Sequence, residues 1–215
     1  VPYIGRTHSS SGGVHGFAMN ALFHLGTLRW FRRGPAISKI EEVRQELLQL
    51  GVKEVKVAPV GLDFSVMKSD FAAYDRAALR REFGLLPDDM VICTVGRMGP
   101  EKNPLDLVEI YQQVREQKPC KLLLVGEGVQ SEDLKTKIAA SKWKSDIVLI
   151  DRIPNDQIWK VYAAADYFVN LCRTEIFGMA ILEAMYYGVS VAALVAPGPS
   201  VTLRDMPGHK LCSSY

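Results

Sequence analysis

The chain has 215 residues, 48% of them hydrophobic and 23% charged, which is ordinary for a globular protein with one or two buried cores. Its formal net charge of +2 is too small, and its basic residues too scattered, to argue for a nucleic-acid partner, so any anion it holds is small and locally gripped. No uncharged apolar run approaches the ~20 residues of a membrane span, and the first residues lack the pattern of a secretory leader.

In chain order, "VPYIG" reads as a strand, "THSSSGGVHG" as a Ser/Gly loop, and the stretch from about Phe17 to Arg33 as a helix. The apolar run from Val14 to Phe31 carries two histidines and Arg29, so it reads as a packed helix, with a peripheral membrane contact left open. Ser38 and Glu41 in "SKIEEVRQELLQLG" spell a capping box for a second helix, which Gly51 ends. This opening region is too small for a domain of its own and reads as the tail of a preceding one, with a junction near residues 51 to 54.

From Val55 onward the pattern changes. The runs "VKVAPV", "MVICTVG", "KLLLVG", "DIVLID", "DYFVNL" and "VSVAALV" alternate with amphipathic stretches, and their apolar character on both faces predicts strands of a parallel sheet covered by helices on each side. Asn103-Pro104 predicts an N-cap followed by proline at the first helical position, opening "PLDLVEIYQQV". "MPGHKLCSSY" ends soon after a turn with no closing helix, so the chain is expected to be a fragment spanning a domain junction. Cys93, Cys120, Cys172 and Cys212 show no metal or CxxC spacing and read as reduced thiols of a cytosolic protein.

Ligands of open parallel sheets bind at the carboxyl ends of the strands, so the loops there are the candidates for chemistry. In "GRMGPEKN", Gly96 gives room while Arg97 and Lys102 place two cations ahead of a helix start, which suits a diphosphate; the alternative is a solvated basic loop. "GEGVQSED" has Gly126 and Gly128 but Ser131 where a dinucleotide fingerprint needs a third glycine, which argues against hydride transfer and leaves a tight turn or a close approach to a ligand. In "RTEIFGMAILEAMYYG" a helix beginning near Phe177 would aim the amides of Gly178 and Met179 at a phosphate. Glu175 precedes that helix, and Glu183 lies up to ~12 Å further along it. Such a span fits a ligand with hydroxyls at both ends and phosphates between, as in nucleotide sugars, unless both glutamates are plain surface residues.

With these residues in hand, the chain resembles the retaining glycosyltransferases of family four, of GT-B fold. The likeness runs through "VPYIGRTHS", "AISKIEEVRQELLQLGV", "VAPVGLD", "VGRMGPEKN", "LLLVGEG", "VLIDRIPNDQIWKVYAAADYFVNL" and the E-x7-E segment "RTEIFGMAILEAMYYGVSVAA". It implies an α/β, doubly wound, Rossmann-like parallel sheet as the donor domain, residues 53–215. Residues 1–52 would be the remnant of a second Rossmann-like, acceptor-binding domain.

The implied function is transfer of a sugar from a UDP- or GDP-sugar to an acceptor hydroxyl with retention of configuration, the acceptor being a carbohydrate or a lipid-linked molecule. The alternative is a nucleotide-sugar-binding or assembly module without catalysis. By the same resemblance Arg97 and Lys102 hold the diphosphate, with Gly96 beside them. Glu175 meets sugar hydroxyls, the backbone of Phe177, Gly178, Met179 and Ala180 meets sugar and phosphate, and Glu183 meets the ribose. Ile153 takes the base, and His8 faces the transferred sugar. No metal and no separate cofactor are expected, and the location implied is cytoplasmic, open to the inner membrane face. Two departures stand out: Asn170-Leu171 where the family usually has Pro-Ser, and "APGPS" in place of a glycine-glycine turn.

Overall fold

The computed structural model describes residues 34–62, 67 and 74–214. The chain divides into two compact units, one up to Pro59 and one from Val60. His8, "VPYIG" and the helix expected over 17–33 lie outside the described residues.

In the first unit, β1 (Ala36–Ser38) pairs in parallel with β2 (Val55–Val57), and α1 (Glu41–Gln49) connects them. Ala36, Val52 and Val55 form its small core, with Leu47 and Leu48 packed against it. "VKVAPV", read from the sequence as the first strand of the later series, therefore pairs with β1 instead. The expected capping box does not form. Ile40, not Ser38, is the N-cap, and Ser38 is the last residue of β1, its hydroxyl donating to the Ile40 carbonyl at 3.0 Å. Gly51 ends the helix as expected, in a left-handed conformation with φ of 87°.

The second unit contains α2 (Arg76–Glu82), β3 (Val91–Val95), α3 (Pro104–Gln117), β4 (Lys121–Val125), α4 (Ser131–Ala140) and β5 (Ile147–Ile150). It continues with α5 (Trp159–Ala164), β6 (Tyr167–Asn170), α6 (Met179–Tyr186), β7 (Ser190–Leu194), α7 (Pro197–Thr202) and β8 (Lys210–Cys212). Strands β3 to β8 form one parallel sheet of order β5-β4-β3-β6-β7-β8. The α/β doubly wound architecture read from the sequence is thus the observed one.

Burial explains why those runs are apolar throughout. Successive side chains of a strand point to opposite faces. Leu123 and Val125 of β4 accordingly pack with Val161, Tyr162 and Ile181 of α5 and α6, whereas Leu122 and Leu124 pack with Leu107, Val108 and Leu134 of α3 and α4. Both faces of the sheet are covered, so neither can be polar. The short edge strand β8 comes from "KLC", a stretch the sequence reading left in a terminal turn. All four cysteines are free. No helix among the described residues is long and apolar enough to cross a membrane.

One polar cluster ties α2 to the sheet. The Arg80 side chain is buried and meets Asp166 Oδ2 at 2.8 Å, the same oxygen that accepts the Val91 amide at 2.8 Å at the start of β3. Arg76 meets the other oxygen at 2.7 Å, and Arg80 Nε donates to the Ala164 carbonyl at 3.0 Å. Removing the carboxylate would leave a buried guanidinium and a strand amide without their partner. Asp166→Ala is therefore expected to cost about 3 kcal/mol of stability, read as a lower urea midpoint at unchanged slope.

Candidate functional site

After β3 the chain moves to β4 and β5 on one side, and β6 then begins on the other side of β3 and leads to β7 and β8. Between β3 and β6 the connections diverge, so their loops leave a crevice at the carboxyl ends of the strands. A cleft of about 550 Å³ lies there within the second unit. Its walls come from Gly96 and Arg97 after β3, Glu127 after β4, Ile153 after β5, and Met179 and Glu183 of α6. A smaller depression beside it shares Gly96 and Arg97 and adds Lys102, Asn170 and Leu171.

The floor of the cleft depends on a missing side chain. A Cβ on Gly126, whose φ is 139°, would stand 1.8 Å from the Gly96 carbonyl oxygen, so the loops after β3 and β4 can lie backbone against backbone only with glycine here. The close approach that "GEG" allows is therefore to the chain's own backbone. Ser131 also has a local task, its hydroxyl accepting the Gly128 amide at 2.9 Å.

Lys102 ends a single 3-10 turn (Pro100–Lys102), and Asn103 follows with a left-handed φ of 50°. Asn103 is the N-cap of α3 with Pro104 next, as the sequence predicts, but its side chain does not cap the helix. Its amide instead donates to the Leu171 carbonyl at 2.8 Å, fastening the cationic turn to the end of β6. That fastening brings Lys102 Nζ within 2.5 Å of Glu175 Oε2.

Glu175 is the hub of the loop after β6. Its other oxygen accepts the Gly178 amide at 3.1 Å. Burial would raise its carboxyl, but the Lys102 ammonium outweighs it, with help from the Asn170 side chain and the Phe177 amide, and the group is held below the ordinary value of 4.5. The helix starts at Met179 with Gly178 as N-cap at φ 84°, two residues later than Phe177. Consequently the Gly178 amide, expected to hold a phosphate, is bound to Glu175, while α6 leaves the first-turn amides of Met179 and Ala180 without intrahelical partners. Lys102, Glu175 and the Gly178 amide thus form one connected set, while Glu183 bonds separately to Tyr162 and Arg97 lies near Glu101.

The two departures noted in the sequence sit under this loop. Asn170 is buried and its Oδ1 accepts the Cys172 amide at 2.8 Å, while Leu171 supplies the carbonyl for Asn103. In "APGPS", the Gly198 amide donates to the Glu175 carbonyl at 2.8 Å, and a Cβ on Gly198 would lie 2.7 Å from the Phe177 backbone.

Of the residues singled out from the sequence, Gly96, Arg97, Ile153, Met179 and Glu183 line the larger cleft. Lys102 lines the smaller one, and Glu175 and Gly178 join the site through hydrogen bonds. Arg97 is well exposed, 3.9 Å from Glu101. Ala180 packs against the core beside Ile181, and Phe177 lines neither hollow but backs onto Gly198. His8 lies outside the described residues. Sequence reasoning missed Tyr162, whose hydroxyl donates to Glu183 Oε2 at 2.6 Å, and the cleft-lining Glu127, Arg152, Trp159 and Tyr187. Nothing in the periodicity of α5 marks Tyr162 as more than a core aromatic. Among the described residues, no group of three or more His, Cys, Asp or Glu is placed to hold a metal ion.

A family model described as glycosyl transferases group 1 matches residues 75–208. The chain is 31% identical over 168 residues to a D-inositol 3-phosphate glycosyltransferase of Segniliparus rotundus, covering 76% of this chain and 36% of that protein. It is 25% identical over 203 residues to an alpha-monoglucosyldiacylglycerol synthase of Streptococcus pneumoniae, covering 90% of this chain and 46% of that protein. The chain therefore spans less than half the length of either relative. Among solved structures, it superposes on Anabaena HepE in complex with UDP and glucose with a TM-score of 0.70 at 22% identity, over 82% of this chain and 48% of that one, a likeness of fold.

Two outcomes follow from this geometry. Gly126→Ala is expected to push the loop after β3 out of place and cost about 3 kcal/mol, visible as a lower thermal midpoint. Because the Glu175 carboxyl is lowered on folding, its stabilisation is complete above 4.5 and is lost as pH falls through the folded-state value below it. Melting curves of the wild type and Glu175→Gln should then differ near neutral pH and converge in acid.

Proposed function

Because the chain belongs to the group 1 glycosyl transferases, we propose that it forms the donor-binding part of an enzyme moving a sugar from a UDP- or GDP-sugar to an acceptor hydroxyl with retention of configuration. The observation that carries this reading is that Arg97, Lys102, the start of α6 and Glu183 converge on adjoining hollows at the β3/β6 divergence. In this reading the donor's base lies against the backbone near Ile153 and its ribose hydroxyls donate to Glu183. The diphosphate reaches the Arg97 guanidinium, the Lys102 ammonium and the first amides of α6. The complex of HepE with UDP and glucose, on a similar fold, supports a donor of this class.

The chemistry asked of these residues is electrostatic. As the bond between the anomeric carbon and the diphosphate oxygen breaks, the electron pair leaves with the diphosphate, and the two cations with helix amides stabilise the growing charge. The acceptor oxygen bonds to the anomeric carbon on the face the diphosphate leaves, and its proton passes to the departing diphosphate. No metal is needed in this scheme, since the cations supply the charge. Glu175 positions Lys102 and offers its carboxylate to sugar hydroxyls once the donor draws the ammonium away.

The remaining assignments complete the proposal: residues 1–52 as the end of an acceptor-binding domain, His8 facing the transferred sugar, and a carbohydrate or lipid-linked acceptor met in the cytoplasm at the inner membrane face. The alpha-monoglucosyldiacylglycerol synthase among the relatives is consistent with a lipid acceptor. A second reading, a nucleotide-sugar-binding module without catalysis, draws on the Lys102–Glu175 pair, in which the candidate diphosphate cation is already neutralised.

Calorimetric titration with UDP, GDP and their sugars tests binding, and release of free sugar or transfer to acceptor tests catalysis. In the full-length enzyme, Lys102→Ala is expected to lower transfer by well over tenfold, roughly the weight of one electrostatic group on a leaving oxyanion. Unchanged turnover would count against the proposal, and binding without any transfer would favour the second reading.

A further inference from the structure

Tyr162 is an unusual neighbour for a ligand-facing carboxylate. It is fully buried, sandwiched near-parallel to Tyr187 with ring centroids 6.0 Å apart and tilted against Phe168 at 6.0 Å. From this packed position in α5 its hydroxyl donates to Oε2 of Glu183 in α6, at 2.6 Å. Tyr162, Tyr187 and Glu183 all border the larger cleft.

We infer that Tyr162 is a positioning residue whose phenol locks the Glu183 carboxylate in the orientation that receives the donor's ribose, a role that rests on the ribose contact proposed above for Glu183. The physical grounds are entropic and geometric. A glutamate on a helix has three side-chain torsions, and its last one is soft. A free carboxylate would have to surrender that freedom on binding, whereas one already fixed does not, so the ligand keeps more of its interaction energy. The ring's own freedom has already been removed by packing in the core. Occupying Oε2 leaves Oε1 to accept from hydroxyls in the cleft. Burial and the neighbouring carboxylate both push the phenol's ionisation well upward, so the group stays a donor at neutral pH.

The opposing explanation is that Glu183 merely satisfies a buried phenol, since such groups need a partner somewhere. Ribose discrimination separates the two. The 215-residue chain, Tyr162→Phe, Glu183→Gln and the double variant are titrated calorimetrically with UDP and GDP and with their 2′,3′-dideoxyribose counterparts. Phenylalanine retains the ring and its stacking, and the ratio of affinities is taken within one preparation, so a partly folded sample does not distort it.

For the wild type the ribose form is expected to bind about tenfold or more tightly, the scale of a hydrogen bond to a charged group. In Tyr162→Phe that ratio should shrink to about threefold or less, by weakening of the ribose form alone, and the substitution should cause no further loss in the Glu183→Gln background. A Tyr162→Phe chain that retains the full ratio, or weakens both forms equally, overturns the positioning role while leaving Glu183 on the ribose. A wild type that binds both forms equally overturns the ribose contact of Glu183, and the role of Tyr162 with it.

Discussion

The separation of β3 from β6 at their carboxyl ends is the constraint from which the site follows. In a parallel sheet each strand must be followed by a crossover, and where one crossover goes left and the next right, the loops cannot cover the ground between them. In this chain the uncovered ground lies between the Gly96 turn and the Leu171 end of β6. Arg97, Lys102 and Glu175 are hung from its two banks. Asn103 crosses from one bank to the other through a single hydrogen bond, and Lys102 is carried across with it to Glu175. The same divergence leaves α5 and α6 packed side by side at the cleft, which is how a core aromatic comes to touch a cleft-lining acid.

The two glutamates of the E-x7-E segment are held by different physics. Glu175 is paired with a full positive charge and with loop amides, so its anionic form is favoured despite burial. Glu183 meets a neutral donor from the core. An ion pair still partly open to water is exchanged for a better-charged partner more readily than a donor fixed in packed surroundings is displaced. Of the two contacts, the Glu175 ion pair is therefore the more readily exchanged.

How far the chain could be read in advance depended on whether the signal was local. The strands of the six-stranded sheet that have helices on both faces declare themselves, because burial on both sides forces continuous apolar runs such as "KLLLV". The three-residue β8 has too few positions to show any pattern, and β2 looks like the others while belonging to a different sheet, since pairing partners are set by long-range contacts. Ser38 carried the right spacing for a cap but was drawn into β1, and Asn103 gave its side chain to Leu171 instead of to its own helix. Strand pairing with β2 in the first case, and a side-chain bond to Leu171 in the second, prevailed over the local cap. Gly96, Arg97 and Lys102 could be picked out because glycines and charges stand out beside strand ends, whereas Tyr162, Trp159 and Tyr187 could not. The mutual bonding of the site was not legible either, as a sequence spacing of 73 between Lys102 and Glu175 says nothing of 2.5 Å in space.

Gly198 gives the loop around Glu175 a mechanical character that its irregular backbone hides. The start of α7 presses on the Phe177 backbone where a side chain would otherwise stand, and its amide grips the Glu175 carbonyl. Shifting the Glu175 loop without α7 would break that amide bond and open that backbone contact. The loop that carries the acid is thereby built onto a helix start rather than left to hang from the sheet edge alone.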